Sequence, residues 1–190
     1  MIAPGLTDSE YAALPLSARI YAAAARFLGM RYATRDSDVR YPYHAGTLPE
    51  SRVGGDRVNC SPMTTAILMA VYDKPWTPDD YGDLVVFAES LQRYPKGDSP
   101  IRALERYEIA QRIPAFTSGD WHLVQYWNRR DANGHAVAAG GGHSVLVYFE
   151  GSDCWTLEAT SKGGIGPKFS AKKPRDFTRK ALLHIARLWP

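Results

Sequence analysis

The chain has 190 residues, 45% of them hydrophobic and 23% charged, which suits one soluble globular domain with a sizeable core. Its formal net charge of +3 is too small and too dispersed for a nucleic-acid binder, though compatible with an anionic partner such as cell wall. Two cysteines, Cys60 and Cys154, cannot make a disulfide scaffold, although one bridge between them stays open at this level.

Met1 to Leu16 has no basic start and no long apolar run, and it carries Asp8 and Glu10. A cytoplasmic protein is expected, or one exported by a non-Sec route. No stretch approaches the ~20 apolar residues of a membrane-spanning helix.

In chain order, Thr7-Asp8-Ser9-Glu10 is a capping box that starts a short helix. Pro15 interrupts it or opens the next helix, in which Ile20, Ala24, Phe27 and Leu28 recur at helical spacing before Gly29 stops it. Residues 31–59 read as loop, with Pro42, Gly46, Pro49, Gly54 and Gly55. An apolar helix then runs from Cys60 through Met63, Ile67, Leu68 and Val71 to Asp73-Lys74-Pro75.

Thr77-Pro78 and Ser99-Pro100 each resemble an N-cap followed by proline at the first helical position. Helices are expected through Leu84, Phe87 and Leu91, and through Ile101, Leu104 and Ile109. Short β-branched and aromatic runs follow at 121–127, 144–149 and 154–160, separated by Gly- and Asp-containing turns. The segment from Asp176 to Trp189 is ambiguous between helix and strand. Helices first and an antiparallel meander after them make an α+β layout in a single domain, residues 1–190.

Three places carry chemistry. Cys60 stands where a glycine-containing loop becomes an apolar helix. A thiol there feels the helix dipole and the unpaired backbone N–H groups, which favour the thiolate and can hold an oxyanion. The plain alternative is a small buried hydrophobe. His143 opens a strand after Gly140-Gly141-Gly142, a rigid mount for a base with room for a substrate backbone; a turn-finishing histidine is the alternative. Glu158 lies on the next strand, which the turn at Gly151-Ser152-Asp153 folds back beside His143. A carboxylate there can hold the imidazole in one tautomer, although an exposed strand carboxylate is equally ordinary.

Asn59-Cys60-Ser61, Gly119-Asp120-Trp121-His122-Leu123 and Gly142-His143-Ser144-Val145 together resemble the NlpC/P60 and CHAP group of papain-like cysteine peptidases and amidases. Cell-wall amidase toxins of the same superfamily resemble the chain at a similar level. Two residues depart from the group's Asp-Cys-Ser-Gly run, Asn59 for aspartate and Pro62 for glycine. The likeness spans roughly residues 18–165, with an unmatched helical insertion at about 74–118.

The resemblance implies a nucleophile helix packed on a small antiparallel sheet, Cys60 as nucleophile, His143 as base and Glu158 as third residue. It implies cleavage of peptide bonds in peptidoglycan stem peptides, with an inhibitor or immunity protein as a possible further partner. A tyrosine ahead of the nucleophile would contact substrate; Tyr43, in Pro42-Tyr43-His44-Ala45-Gly46, and Tyr32, just after Gly29, compete for that place. The rival readings are a thiol hydrolase or acyltransferase acting on another protein or an ester, and a non-catalytic binding domain on the same fold.

No cofactor is called for. Cys60, His122, His135, His143 and Cys154 include no Cys-x-x-Cys or His-x-x-x-His pair, so no metal is expected. Gly163-Gly164-Ile165-Gly166 enters no evident helix and reads as a loop. Lys168, Lys172, Lys173 and Arg175 form a basic patch, a solvated face or a dock for an anionic polymer. Trp121, Tyr126, Trp127 and Trp155 are expected in the core.

Overall fold

In the computed structural model the described residues are 7–27, 29–32, 57–58, 60–72, 108–127, 132, 142–160, 168–172, 174–178 and 182–190. Tyr43, the expected helices after Thr77-Pro78 and Ser99-Pro100, and most of the insertion lie outside them.

The capping box forms as expected. Glu10 N–H donates to Thr7 Oγ1 at 3.3 Å, Thr7 N–H donates to Glu10 Oε2 at 2.8 Å, and helix α1 runs Asp8–Ala12. Pro15 opens helix α2, Leu16–Ala24, which tightens into a 3₁₀ turn at Ala25–Phe27. Gly29 follows at φ 85°, a left-handed conformation that glycine adopts freely. The span read as loop contains two short strands, β1 (Arg31–Tyr32) and β2 (Arg57–Val58), paired in parallel. Helix α3 is Cys60–Tyr72, starting on the residue the sequence marked.

The remaining strands are β3 (Ala110–Ile113), β4 (Asp120–Trp127), β5 (Gly142–Glu150), β6 (Asp153–Glu158), β7 (Lys168–Lys172) and β8 (Leu182–Leu188). They form one six-stranded sheet in the order β3-β8-β4-β5-β6-β7, with every pairing antiparallel. The layout is α+β.

One expectation is corrected, and two segments left open are settled. Ile109 does not end a helix; it is buried just before β3, beside Glu108 at φ 57°. The segment holding Lys168 and Lys172 is a strand, because it completes the sheet beside β6. The ambiguous tail is both structures in turn: a short helix α4, Pro174–Thr178, then β8, which inserts between β3 and β4.

Strand alternation divides the core in two. Trp121, Leu123, Leu146, Leu157, Ala159, Ala186 and Leu188 face α2 and α3 and pack with Ile20, Met63, Ile67 and Leu68. Val124, Tyr126, Val145, Val147, Cys154 and Ile185 face the other way and pack on Phe177 of α4. Full burial of a leucine such as Leu123, Leu146 or Leu157 contributes about 1.5–3 kcal/mol. Trp155 departs from the expected core placement: it is 47% exposed, on a strand that the helix covers less than it covers β5.

Helix α3 is fixed by its far end. Arg19 Nη1 of α2 donates to the Val71 carbonyl at 3.0 Å, meeting one of the acceptors a helix C-terminus leaves open. Tyr72 Oη donates to the Trp189 carbonyl at 2.7 Å, just past the end of β8. Trp121 Nε1 donates to Ser17 Oγ at 2.8 Å and ties α2 to β4. At about 1.5 Å per residue, α3 is roughly 20 Å long. With Tyr72 held at the end of the sheet where β4 begins, Cys60 reaches the opposite end, where β4 finishes and β5 starts.

His122 is fully buried on the second face and accepts from Thr117 N–H through Nε2 at 3.1 Å. Its proton therefore sits on Nδ1. Burial chiefly, with the Arg187 charge, pushes its pKa down to about 4, against the opposing pull of Val147 and Asp120. The folded state thus refuses a proton that the unfolded chain accepts below about pH 6.5. Stability falls as pH drops from about 6.5 toward 4, by an amount on the order of 3 kcal/mol from this residue. Urea titrations at about pH 7 and pH 4.5 should show that loss, reduced in His122→Gln; an equal loss in the variant would assign it elsewhere.

Candidate active site

Four element ends converge at one end of the sheet. Cys60 is the first residue of α3, His143 the second of β5, Glu158 the last of β6 and Tyr126 the penultimate of β4. His143 is the register partner of Tyr126. The β5–β6 hairpin closes through Gly151, at φ 60°, and Ser152, between the partners Glu150 and Asp153. That register puts His143 and Glu158 diagonally across one face of the pair.

The diagonal is a close contact: His143 Nε2 lies 2.8 Å from Glu158 Oε2. Thr156, two residues earlier on the same face, donates its hydroxyl to Glu158 Oε1 at 3.3 Å, so both carboxylate oxygens are engaged. Glu158 is 2% exposed and Thr156 fully buried. A buried carboxylate held this way cannot swing into solvent.

His143 also shares a side-chain hydrogen bond with Cys60. With Nε2 occupied by the carboxylate, Nδ1 is the ring nitrogen left for the thiol. Strand alternation places His143 and Glu158 on the face opposite α3, and Cys60 belongs to neither core cluster. Thiol and imidazole therefore meet around the rim of the sheet.

Burial works against charge on the imidazole. The Cys60 charge and hydrogen bond, then the hydrogen bond and charge of Glu158, outweigh it and hold the His143 pKa above its ordinary value. A thiol and a carboxylate thus both favour the protonated form of this imidazole. Thr64 Oγ1 of α3 donates to the Cys60 carbonyl one turn back, at 2.8 Å.

Cys154 is elsewhere. It pairs with Phe149 near the β5–β6 turn, at the other end of β6 from Glu158. Four residue steps of strand, about 13 Å, separate it from Glu158. Both cysteines are free. Burial chiefly, with Asp176 nearby, pushes the Cys154 thiol up to about 11.

The structure thus brings together Cys60, His143 and Glu158. Tyr32 is half-buried against the main core. Asp120, in the Gly-Asp pair of the sequence likeness, lies at the other end of β4 and bridges Arg187 Nε at 2.8 Å. Sequence reasoning missed Thr156, whose signal was its spacing of two from Glu158; it expected Tyr126 in the core, where the residue does lie, in the cluster that includes Phe177. Tyr126 is 9% exposed, with its ring centroid 5.5 Å from that of His143.

Among the described residues no group of three or more His, Cys, Asp or Glu side chains could hold a metal, and no helix is long and apolar enough to cross a membrane.

No family model matches the chain, and a search of curated proteins returns no significant match. Solved structures do resemble it. One described as an N-acetylmuramoyl-L-alanine amidase from Bacteroides uniformis has a TM-score of 0.53 at 11% identity, covering 92% of this chain and 99% of that one. A second structure under the same description has a TM-score of 0.49 at the same identity and coverage. The likeness to the first establishes a shared fold over nearly the whole of both chains.

Proposed function

We propose that the chain is a cysteine amidase of the NlpC/P60 or CHAP type that hydrolyses peptide bonds in bacterial cell-wall stem peptides. The observation that carries the chemistry is the buried chain of contacts from Cys60 at the start of α3 to His143 and on to Glu158. The substrate rests on lesser support: the sequence likeness, and a shared fold with a protein described as an N-acetylmuramoyl-L-alanine amidase.

In the reaction, His143 takes the Cys60 proton and the thiolate sulfur attacks the amide carbonyl carbon. The carbonyl π electrons move to oxygen, where the Cys60 backbone N–H at the helix start stabilises the oxyanion. On collapse the C–N bond breaks and His143 protonates the leaving amine, which departs and leaves a thioester. Water then attacks the thioester carbon, His143 removes its proton, and the C–S bond breaks to release the acid and regenerate the thiol. Glu158 holds the imidazole with Nε2 toward itself throughout.

Mass spectrometry of purified cell wall incubated with wild type and with Cys60→Ala tests this directly. New stem-peptide fragments from wild type alone are expected, and their masses identify the bond. Fragments from both proteins would exclude the thiol. Silence from both, with Cys60 still quick to alkylate, would reject cell wall in favour of a protein or ester substrate.

A further inference from the structure

The imidazole turns on two torsions, and the second of them, χ2, lies in a broad well. A turn of the ring plane moves the nitrogen lone pair and N–H out of line with Cys60 and Glu158, and hydrogen bonds weaken steeply as they bend. A packed neighbour narrows that freedom and sets the tilt of the ring.

Tyr126 is the side chain placed to do so. It is the cross-strand register partner of His143 on β4, and such partners stand about 4.5–5.5 Å apart at Cβ. Its ring meets the imidazole at 61°, centroids 5.5 Å apart, an edge arrangement that resists tilting. Tyr126 is itself braced, because Phe177 of α4 lies 6.2 Å away at 64°. Phe177 is 1% exposed and rests in turn on Phe116, 5.6 Å away, which stacks on Phe149 at 5.5 Å. An aromatic row therefore runs along the face opposite α3, from the β5–β6 turn to the imidazole. Burial first, then the nearby charges of Glu158 and Cys60, raise the pKa of the Tyr126 hydroxyl, so the phenol adds no anion beside the thiolate.

We infer that Tyr126 is a positioning residue for His143, its ring, braced by Phe177, setting the tilt at which the imidazole engages thiol and carboxylate together. This rests on the proposed role of the Cys60–His143 pair but not on the identity of the substrate.

The test uses three variants. Tyr126→Phe keeps the ring, Tyr126→Leu removes it, and Phe177→Leu removes only the brace. The first readout is the rate of Cys60 alkylation by iodoacetamide between about pH 5 and pH 9, followed by peptide mass spectrometry, which needs no substrate. Tyr126→Leu should react roughly 10-fold more slowly than wild type near pH 6, with its profile displaced toward that of an ordinary thiol. Tyr126→Phe should stay within about 2-fold of wild type, and Phe177→Leu should fall between them.

On cell wall, the second readout, kcat should fall with the same ranking and KM should stay unchanged. A wild-type alkylation profile in folded Tyr126→Leu overturns the inference. So does a Tyr126→Phe as slow as Tyr126→Leu, which would give the role to the hydroxyl. Should Tyr126→Leu lose its circular-dichroism spectrum, Phe177→Leu decides: a displaced profile supports the inference and a wild-type profile overturns it. Displaced profiles in a protein inert toward cell wall would keep the positioning role and reject the substrate alone.

Discussion

Replacing Cys60 with alanine is expected to lower hydrolysis by at least about 10³-fold while leaving the thermal midpoint within a few degrees of wild type. In the proposed mechanism the Cys60 sulfur is the atom that attacks, so nothing in the site would substitute for it. Its side chain contributes little to either core cluster, so the fold should not notice the loss. His143→Gln should cost a comparable factor, and the double variant should be little worse than either single one, because the two groups act as a unit. Losses that multiply in the double variant would show that they do not.

Labelling separates the two cysteines in the same experiment. Near neutral pH, Cys60 of wild type should alkylate quickly. Cys154, buried with its thiol pushed up to about 11, should stay unmodified until the chain unfolds. Rapid labelling of Cys154 in the folded protein would contradict its burial on the face of β6 that packs on Phe177.

Glu158→Gln should also show a large effect, a fall in kcat of roughly 10²–10⁴-fold with KM little changed. The substitution keeps the shape and an acceptor oxygen but removes the charge. Glu158 is one of the groups that hold the His143 pKa up, so its neutralisation lets that pKa drop. The sign follows directly. Imidazolium is lost as pH rises through the His143 pKa, so a lower pKa moves the alkaline limb of the kcat/KM profile to lower pH. A limb that stays in place while kcat falls would mean that Glu158 orients the ring without supporting its charge. Thr156→Val, which removes the hydroxyl donor from the other carboxylate oxygen, should move the profile in the direction opposite to neutralisation, and by less.

Much of this was legible in the residues. Caps and stops act within a few positions, so the capping box at Thr7, the stop at Gly29 and the helix start at Cys60 can be read from local chemistry. Period-two patterning marks the central strands β4, β5 and β6, and a short turn at Gly151-Ser152 makes the last two antiparallel neighbours. Those local facts, together with the family resemblance they carry, mark Cys60, His143 and Glu158 as candidates for nucleophile, base and orienting carboxylate.

Tertiary structure decided what local rules cannot reach. The insertion of β8 between β3 and β4 is a pairing choice among distant segments, and nothing within Leu182–Leu188 states its neighbours. The strand at Lys168–Lys172 reads as a basic patch until β6 offers it an edge. Trp155 alternates onto the α3 face like Leu157, yet it is half exposed, because the pattern names a face and not how far the covering helix extends. Tyr126 became more than a core aromatic only through its register with His143 and its contact with Phe177. The residue types and their local geometry were therefore written in the sequence. Their meeting at one end of the sheet depended on where α3 is anchored and which strands lie side by side, since contact between remote residues is set by packing and loop closure rather than by spacing along the chain.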